Sequence, residues 1–71
     1  MFIITGESCM PCKLLKQWLD ENNIQVEEKL SDDCMDVVEA LKVKQTPTLV
    51  LDDNTIISGL SNIQEYFEEQ M

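Results

Sequence analysis

The chain has 71 residues, enough for one domain and too few for two, and 44% of them are hydrophobic with only two Gly and two Pro. This is a globular composition rather than a low-complexity or disordered one. Five Lys, no Arg and 14 acidic residues give a net charge of −9, which disfavours nucleic acid and anionic lipid as partners. The acidity reads as a solubility device, with a docking face for basic partners as the sharper alternative. No apolar run approaches the ~18 residues of a membrane span, and no charged-then-apolar leader is seen. A cytoplasmic, monomeric protein is therefore expected, with residues 1–71 as a single domain.

In chain order, Phe2 to Thr5 is a short apolar run suited to a strand buried on both faces. Gly6-Glu7-Ser8 turns the chain into Cys9-Met10-Pro11-Cys12. From Pro11 to about Asn22, Leu14, Leu15, Trp18 and Leu19 recur at helical spacing, and Pro11 is tolerated in a first turn whose N–H groups have no partner. Ile24 and Val26 begin a second strand, nearer the sheet edge, that runs to about Leu30. Ser31-Asp32-Asp33 offers N-caps for a second helix ending near Lys42, with Met35, Val38 and Leu41 on one face.

Pro47 bars a regular helix or a central strand at its own position. Thr48 to Leu51 then forms a third strand, Asp52-Asp53-Asn54 a hairpin turn and Thr55 to Ile57 a fourth strand. Ser61 with Gln64 fits a capping box, and Ile63 and Phe67 stripe a last helix. The order β-α-β-α-β-β-α predicts an α/β fold, a four-stranded mixed sheet covered by three helices. Its two βαβ passages predict parallel pairing and its terminal hairpin an antiparallel strand.

The chemistry lies in the cysteines. A C-x-x-C beside a βαβ pattern reads as redox-active or metal-binding rather than as a structural staple. Thiol–disulfide exchange needs an accessible thiolate, which the positive end of a helix favours. Cys9, just before the helix, is assigned as the catalytic nucleophile. Cys12, one turn in and more buried, is the resolving thiol. Lys13 and Lys16 add positive charge nearby and Glu7 opposes it.

A zinc site would need four ligands, and the chain has no His and one further cysteine, Cys34. No resident metal or bound cofactor is therefore expected, although an iron–sulfur cluster shared between two subunits stays open. Cys34 reads as a small buried residue, with a regulatory or dimer-forming thiol as the alternative. Trp18, Tyr66 and Phe67 read as packing residues. Asp32, Asp33 and Asp36 read as a solvated helix start rather than a calcium loop.

A Cys-x-Pro-Cys between strand and helix, followed about 35 residues later by Thr46-Pro47-Thr48 before an apolar strand, resembles the thioredoxin/glutaredoxin superfamily over essentially the whole chain. The resemblance implies a thioredoxin-like fold of the compact glutaredoxin type. It also implies a cis-proline at Pro47 facing the cysteines. The backbone of Thr46 would then pair with an extended substrate segment, and the redox-active disulfide Cys9–Cys12 would serve disulfide oxidoreduction and electron transport in cell redox homeostasis.

Within that superfamily, glutaredoxins carry a Lys shortly before the first cysteine and a Gly-Gly-x-x-Asp after the fourth strand. This chain has Gly6-Glu7-Ser8 and Ser58-Gly59-Leu60-Ser61-Asn62 instead. The Ser58-Gly59-Leu60 run is similar to the Ser-Gly-Phe of NrdH-type redoxins. That likeness implies recycling by a thioredoxin-reductase-type enzyme and ribonucleotide reductase among the disulfide-containing partners. Met10, Pro11, Thr46, Pro47, Gly59 and Leu60 are the implied substrate-binding residues. Glutathione is the alternative reductant, with Ser61 and Asn62 at a helix N-terminus to bind its carboxylate. A non-catalytic adaptor that keeps the fold is the alternative of another class, against which two intact thiols argue.

Overall fold

A computed structural model describes residues 1–70; Met71, the last residue of the expected domain, lies outside the described residues. Four strands, β1 (Phe2–Thr5), β2 (Glu27–Leu30), β3 (Thr48–Val50) and β4 (Ile56–Ser58), form one sheet in the order β2-β1-β3-β4. Three helices cover it: α1 (Met10–Glu21), α2 (Met35–Ala40) and α3 (Leu60–Gln70). This is the mixed, helix-covered thioredoxin-like architecture.

Alternation along the strands sorts the core into two layers. Ile3 and Leu49 face α1 and α3, packing with Leu15, Leu19, Ile63 and Phe67. Their neighbours Ile4 and Val50 face the other way, against Cys34, Val37, Val38 and Leu41 of the α2 side. Central strands buried on both faces read as continuous apolar runs, which is why Phe-Ile-Ile and Leu-Val carry no polar alternation. Trp18 is half-buried against the first layer. Leu14 and Met35, each placed on an apolar stripe by its spacing, are about half exposed, at 50% and 49%.

The pairing of β3 corrects the expectation of two parallel βαβ passages. β1 and β2 are parallel, with Phe2 opposite Glu27 and Thr5 opposite Leu30. β3, however, runs antiparallel to β1, and β4 antiparallel to β3. Connection length does not force this, since residues 31–47 are enough for a crossover past strands of three or four residues. The chain instead leaves β2 and enters β3 at the same end, and the antiparallel register sets Leu49 opposite Ile3 in the layer packed by α1 and α3.

Several element boundaries also shift. Ile24 and Val26 precede β2 rather than belong to it, packing against the core as half-buried coil. Ser31–Asp33 forms a 3₁₀ turn, and Cys34, not an Asp or Ser, occupies the N-cap of α2 without a side-chain cap. α1 and α2 both end in a Schellman pattern. Asn23 (φ 57°) and Lys42 (φ 56°) take the left-handed position. Ile24 N–H then donates to Leu19 O at 2.9 Å and Val43 N–H to Val38 O at 2.9 Å.

Ser61 and Gln64 do not make the expected capping box, because α3 starts at Leu60, two residues before an N-cap at Ser61 would have it start. Gly59, at φ +94°, precedes its first turn, and its carbonyl accepts from Ile63 N–H at 3.1 Å.

Candidate functional site

The C-terminal ends of β1, β2 and β4 and the N-terminal end of β3 lie at one end of the sheet. That end gathers the segments the sequence singled out: Gly6 to Cys12, Gln45 to Thr48, and Ser58 to Asn62. Cys9 and Cys12 form a disulfide with a Cα–Cα separation of 5.2 Å. Cys9 is the N-cap of α1 in extended backbone, and Pro11 sits in the first turn. Its sulfur accepts the Cys12 N–H at 3.2 Å, so one orphan donor of the helix end already points at the atom that carries negative charge after reduction. Cys9 is half-buried, whereas Cys12 is only 7% exposed. The outer sulfur meets solvent and the inner one lies behind it.

Thr46–Pro47 is a cis peptide bond, as the resemblance implied. Pro47 is fully buried and Thr46 half-buried. The Thr46 carbonyl oxygen lies 3.6 Å from Cys9 Sγ, which sets the two halves of the site against each other. Gly6 permits this approach, since a Cβ there would lie 3.3 Å from Thr46 Oγ1 and 3.6 Å from Cys9 Cβ.

Two open cavities lie at this end of the sheet, one of them lined by the cysteines. One, of about 310 Å³, is lined by Pro11, Gln45, Thr46, Pro47, Ser58, Gly59, Leu60, Ser61 and Asn62. It brings together every residue assigned to substrate or glutathione contact except Met10, which stands 62% exposed beside the disulfide. Among the described residues, no Lys lines this cavity. The Asn62 side-chain amide is engaged, donating to Ser58 O at 2.9 Å.

The other cavity, of about 110 Å³, is lined by Thr5, Gly6, Cys9, Cys12, Lys13, Lys16 and Glu28. Lys13 and Lys16 thus face the cysteines as charge considerations suggested. Glu28, which the sequence pattern did not single out, joins them from β2 with Oε2 3.9 Å from Lys16 Nζ. Its signal was hidden because β2 pairs with β1 only in the tertiary structure. Gly6, Gln45 and Ser58 lie in segments the sequence singled out but were given no role there; the loop geometry places them at the site.

Cys34 lies apart, 5% exposed, with its thiol donating to Leu30 O at 3.2 Å. Burial pushes this thiol above its ordinary titration range; Lys29 opposes the shift, while Asp33 and Asp36 add to it. Among the described residues, no group of three or more His, Cys, Asp or Glu side chains is arranged to hold a metal ion, and no helix is long and apolar enough to cross a membrane.

A surface-accessible sulfur at a helix N-terminus, bonded to a shielded partner three residues on, is equipped for two-step thiol–disulfide exchange. The comparisons with known proteins bear on the fold and the family. The crystal structure of the thioredoxin-like protein BC3987 shares the fold with a TM-score of 0.70, covering 93% of each chain at 24% sequence identity. A search of curated proteins returns no match. The family model described as a thioredoxin domain matches residues 2–70, nearly the whole chain, and the protein therefore belongs to the thioredoxin domain family.

Proposed function

We propose that this protein is a dithiol reductase of protein disulfides, recycled by a thioredoxin-reductase-type enzyme. The observation that carries the reading is the placement of Cys9. It is the more accessible sulfur, capped by the Cys12 N–H at 3.2 Å and set 3.6 Å from the Thr46 carbonyl, beside a cavity that can receive a polypeptide.

In the reduced protein, the Cys9 thiolate attacks one sulfur of a substrate disulfide. A Cys9–substrate bond forms, the substrate S–S bond breaks, and the second substrate sulfur leaves as a thiolate. Cys12 then loses its proton and attacks Cys9 Sγ, forming the Cys9–Cys12 bond and releasing the first substrate sulfur. Two electrons pass from the protein dithiol to the substrate, whose two thiolates take up the protons. Another two electrons, from the external reductant, return the pair to the dithiol state. Met10 and Pro11 form the exposed rim, and Thr46, Pro47, Gly59 and Leu60 the wall, against which the substrate segment rests.

The chemistry of the larger cavity supports this choice of electron source. Glutathione is an anion, and the chain has a net charge of −9. Among the described residues, the larger cavity, where Ser61 and Asn62 would bind it, presents no ammonium group, Lys13 and Lys16 lying on the smaller one. A reductase flavoprotein makes no such demand. Ribonucleotide reductase is the first substrate to test, on the likeness of Ser58-Gly59-Leu60 to NrdH-type redoxins.

The test is to follow reduction of the oxidised protein in two parallel reactions, one with thioredoxin reductase and NADPH, the other with glutathione, glutathione reductase and NADPH. Turnover in the first alone supports the proposal. Turnover in the second alone would make glutathione the donor and Ser61 and Asn62 its ligands. An adaptor role requires that Cys9→Ser keep the biological effect; the reductase reading requires that this substitution abolish insulin reduction.

A further inference from the structure

Among the described residues, Thr48 is the one buried polar side chain of the core, fully enclosed within β3 beside Leu49 and Val50. Valine has the same shape, prefers strands and would leave no hydroxyl to satisfy, so the hydroxyl at this position calls for a cause. Its contacts supply one. Thr48 Oγ1 donates to the Gln45 carbonyl at 2.6 Å and lies 3.2 Å from Ser58 Oγ. A hydroxyl has a single proton to give. With that proton committed to Gln45 O, Ser58 is the donor of the second bond. The direction of the chain is therefore fixed: Ser58 on β4 donates to Thr48 on β3, and Thr48 donates to the backbone of the Gln45–Pro47 segment.

That segment is where the site is assembled. Thr46 O stands 3.6 Å from Cys9 Sγ. Gln45 and Thr46 also form a ridge between two cavities. The cavity of about 310 Å³ lies on one side. On the other side is one of about 230 Å³, lined by Ser31, Val38, Val43, Lys44, Gln45 and Thr46. A polypeptide crossing the ridge meets both. Among the described residues, and apart from the Thr48 hydroxyl, no hydrogen bond outside the regular elements holds the Gln45 carbonyl.

We propose that Thr48 is a positioning residue for substrate: through its hydroxyl, supported by Ser58, it holds the Gln45–Thr46 ridge at the height at which a substrate segment binds beside Cys9. The inference rests on the proposed reductase function and specifies how that function obtains its substrate geometry. Thr48 touches neither the cysteines nor the substrate and acts through the backbone of Gln45.

The experiment measures steady-state reduction of insulin by the full chain, recycled by dithiothreitol, for the unmodified protein and the variants T48V, T48S and S58A. Thermal melts confirm folding. T48V is expected to raise KM about tenfold with kcat nearly unchanged, since a slackened ridge misplaces the substrate rather than the sulfurs. T48S, which keeps the hydroxyl, restores the unmodified KM. S58A, which keeps the bond to Gln45 but removes the group that orients it, raises KM by roughly threefold, and it decides the matter should T48V fail to fold.

An unchanged KM in T48V, or in S58A when T48V does not fold, overturns the inference. So does a T48S variant as impaired as T48V, because the methyl group rather than the hydroxyl would then be at work. A loss confined to kcat overturns it as well. If the unmodified protein does not reduce insulin at all, the reductase reading falls and this inference falls with it.

Discussion

A methyl group added at Gly6 would lie 3.3 Å from Thr46 Oγ1, closer than side-chain carbons ordinarily pack. Accommodating it means moving Thr46 away from Cys9 by a few tenths of an ångström. Gly6→Ala is therefore expected to reduce kcat/KM for insulin severalfold, while costing no more than about 1 kcal/mol in stability, since overpacking strain is relieved at a site that is only half enclosed. Parallel kinetics and urea titrations separate the two effects. At Cys34, burial raises the thiol pKa, so the folded state keeps its proton at a pH where the unfolded chain has lost it. The sign follows: stability is fully present below the ordinary thiol range and falls as pH rises from about 8.5 toward the folded pKa. The melting temperature of Cys34→Ala should lack that alkaline slope, and an identical slope in both proteins would contradict the assignment.

At the scale of elements, the ends of the helices make opposite demands on two residues. Lys42 occupies the left-handed position that closes α2, and Gly59 the positive-φ position before α3. A side chain in that conformation costs roughly 1 kcal/mol, and glycine costs least. Lys42→Gly is thus expected to stabilise the protein by up to about 1 kcal/mol, net of the greater freedom of the unfolded chain. Gly59→Ala is expected to destabilise it by about 1 kcal/mol. The cost at Gly59 is a backbone cost, because the added carbon would meet only Gln45 Nε2 at 3.8 Å and Asn62 Nδ2 at 3.9 Å, which are ordinary contacts. Denaturant midpoints for the two variants check both signs.

The same scale shows how far periodicity carries. Leu15, Leu19, Ile63 and Phe67 were legible as buried because helical spacing and apolarity coincide. Leu14 and Met35 satisfied the same pattern and are exposed, since the sequence does not say how wide a face the sheet covers. A capping box was written into Ser61 and Gln64 but not formed, because Gly59 lets the helix begin at Leu60 and leaves Ser61 within it.

For the whole molecule, 71 residues correspond to a stability of roughly 4–10 kcal/mol, and the enclosed core is small. Leu49 and Ile63 are each fully buried at the centre of the larger layer. Leu49→Ala should cost about 2–5 kcal/mol, a large share of the total, and a calorimetric melt would show a substantially lowered or missing transition. The net charge of −9 acts at the same scale. Self-repulsion destabilises a compact anionic chain, and salt screens it over ~8 Å at physiological ionic strength.

The sequence by itself determined the element inventory, the identity of the redox pair and the apolar residues that fill the two core layers. These depend on local quantities: hydrophobic period, the exclusion of proline from regular structure, and the C-x-x-C spacing at the start of a helix. Only the tertiary structure decided that β3 runs antiparallel to β1, because strand direction is set by pairing between residues far apart in the chain. It also decided which side chains converge on the cysteines. Glu28 joins Lys13 and Lys16 beside them from β2, Gly6 lets Thr46 approach Cys9, and Ser58 and Thr48 support the Gln45 backbone, all through distances of 3–4 Å that no spacing in the sequence encodes.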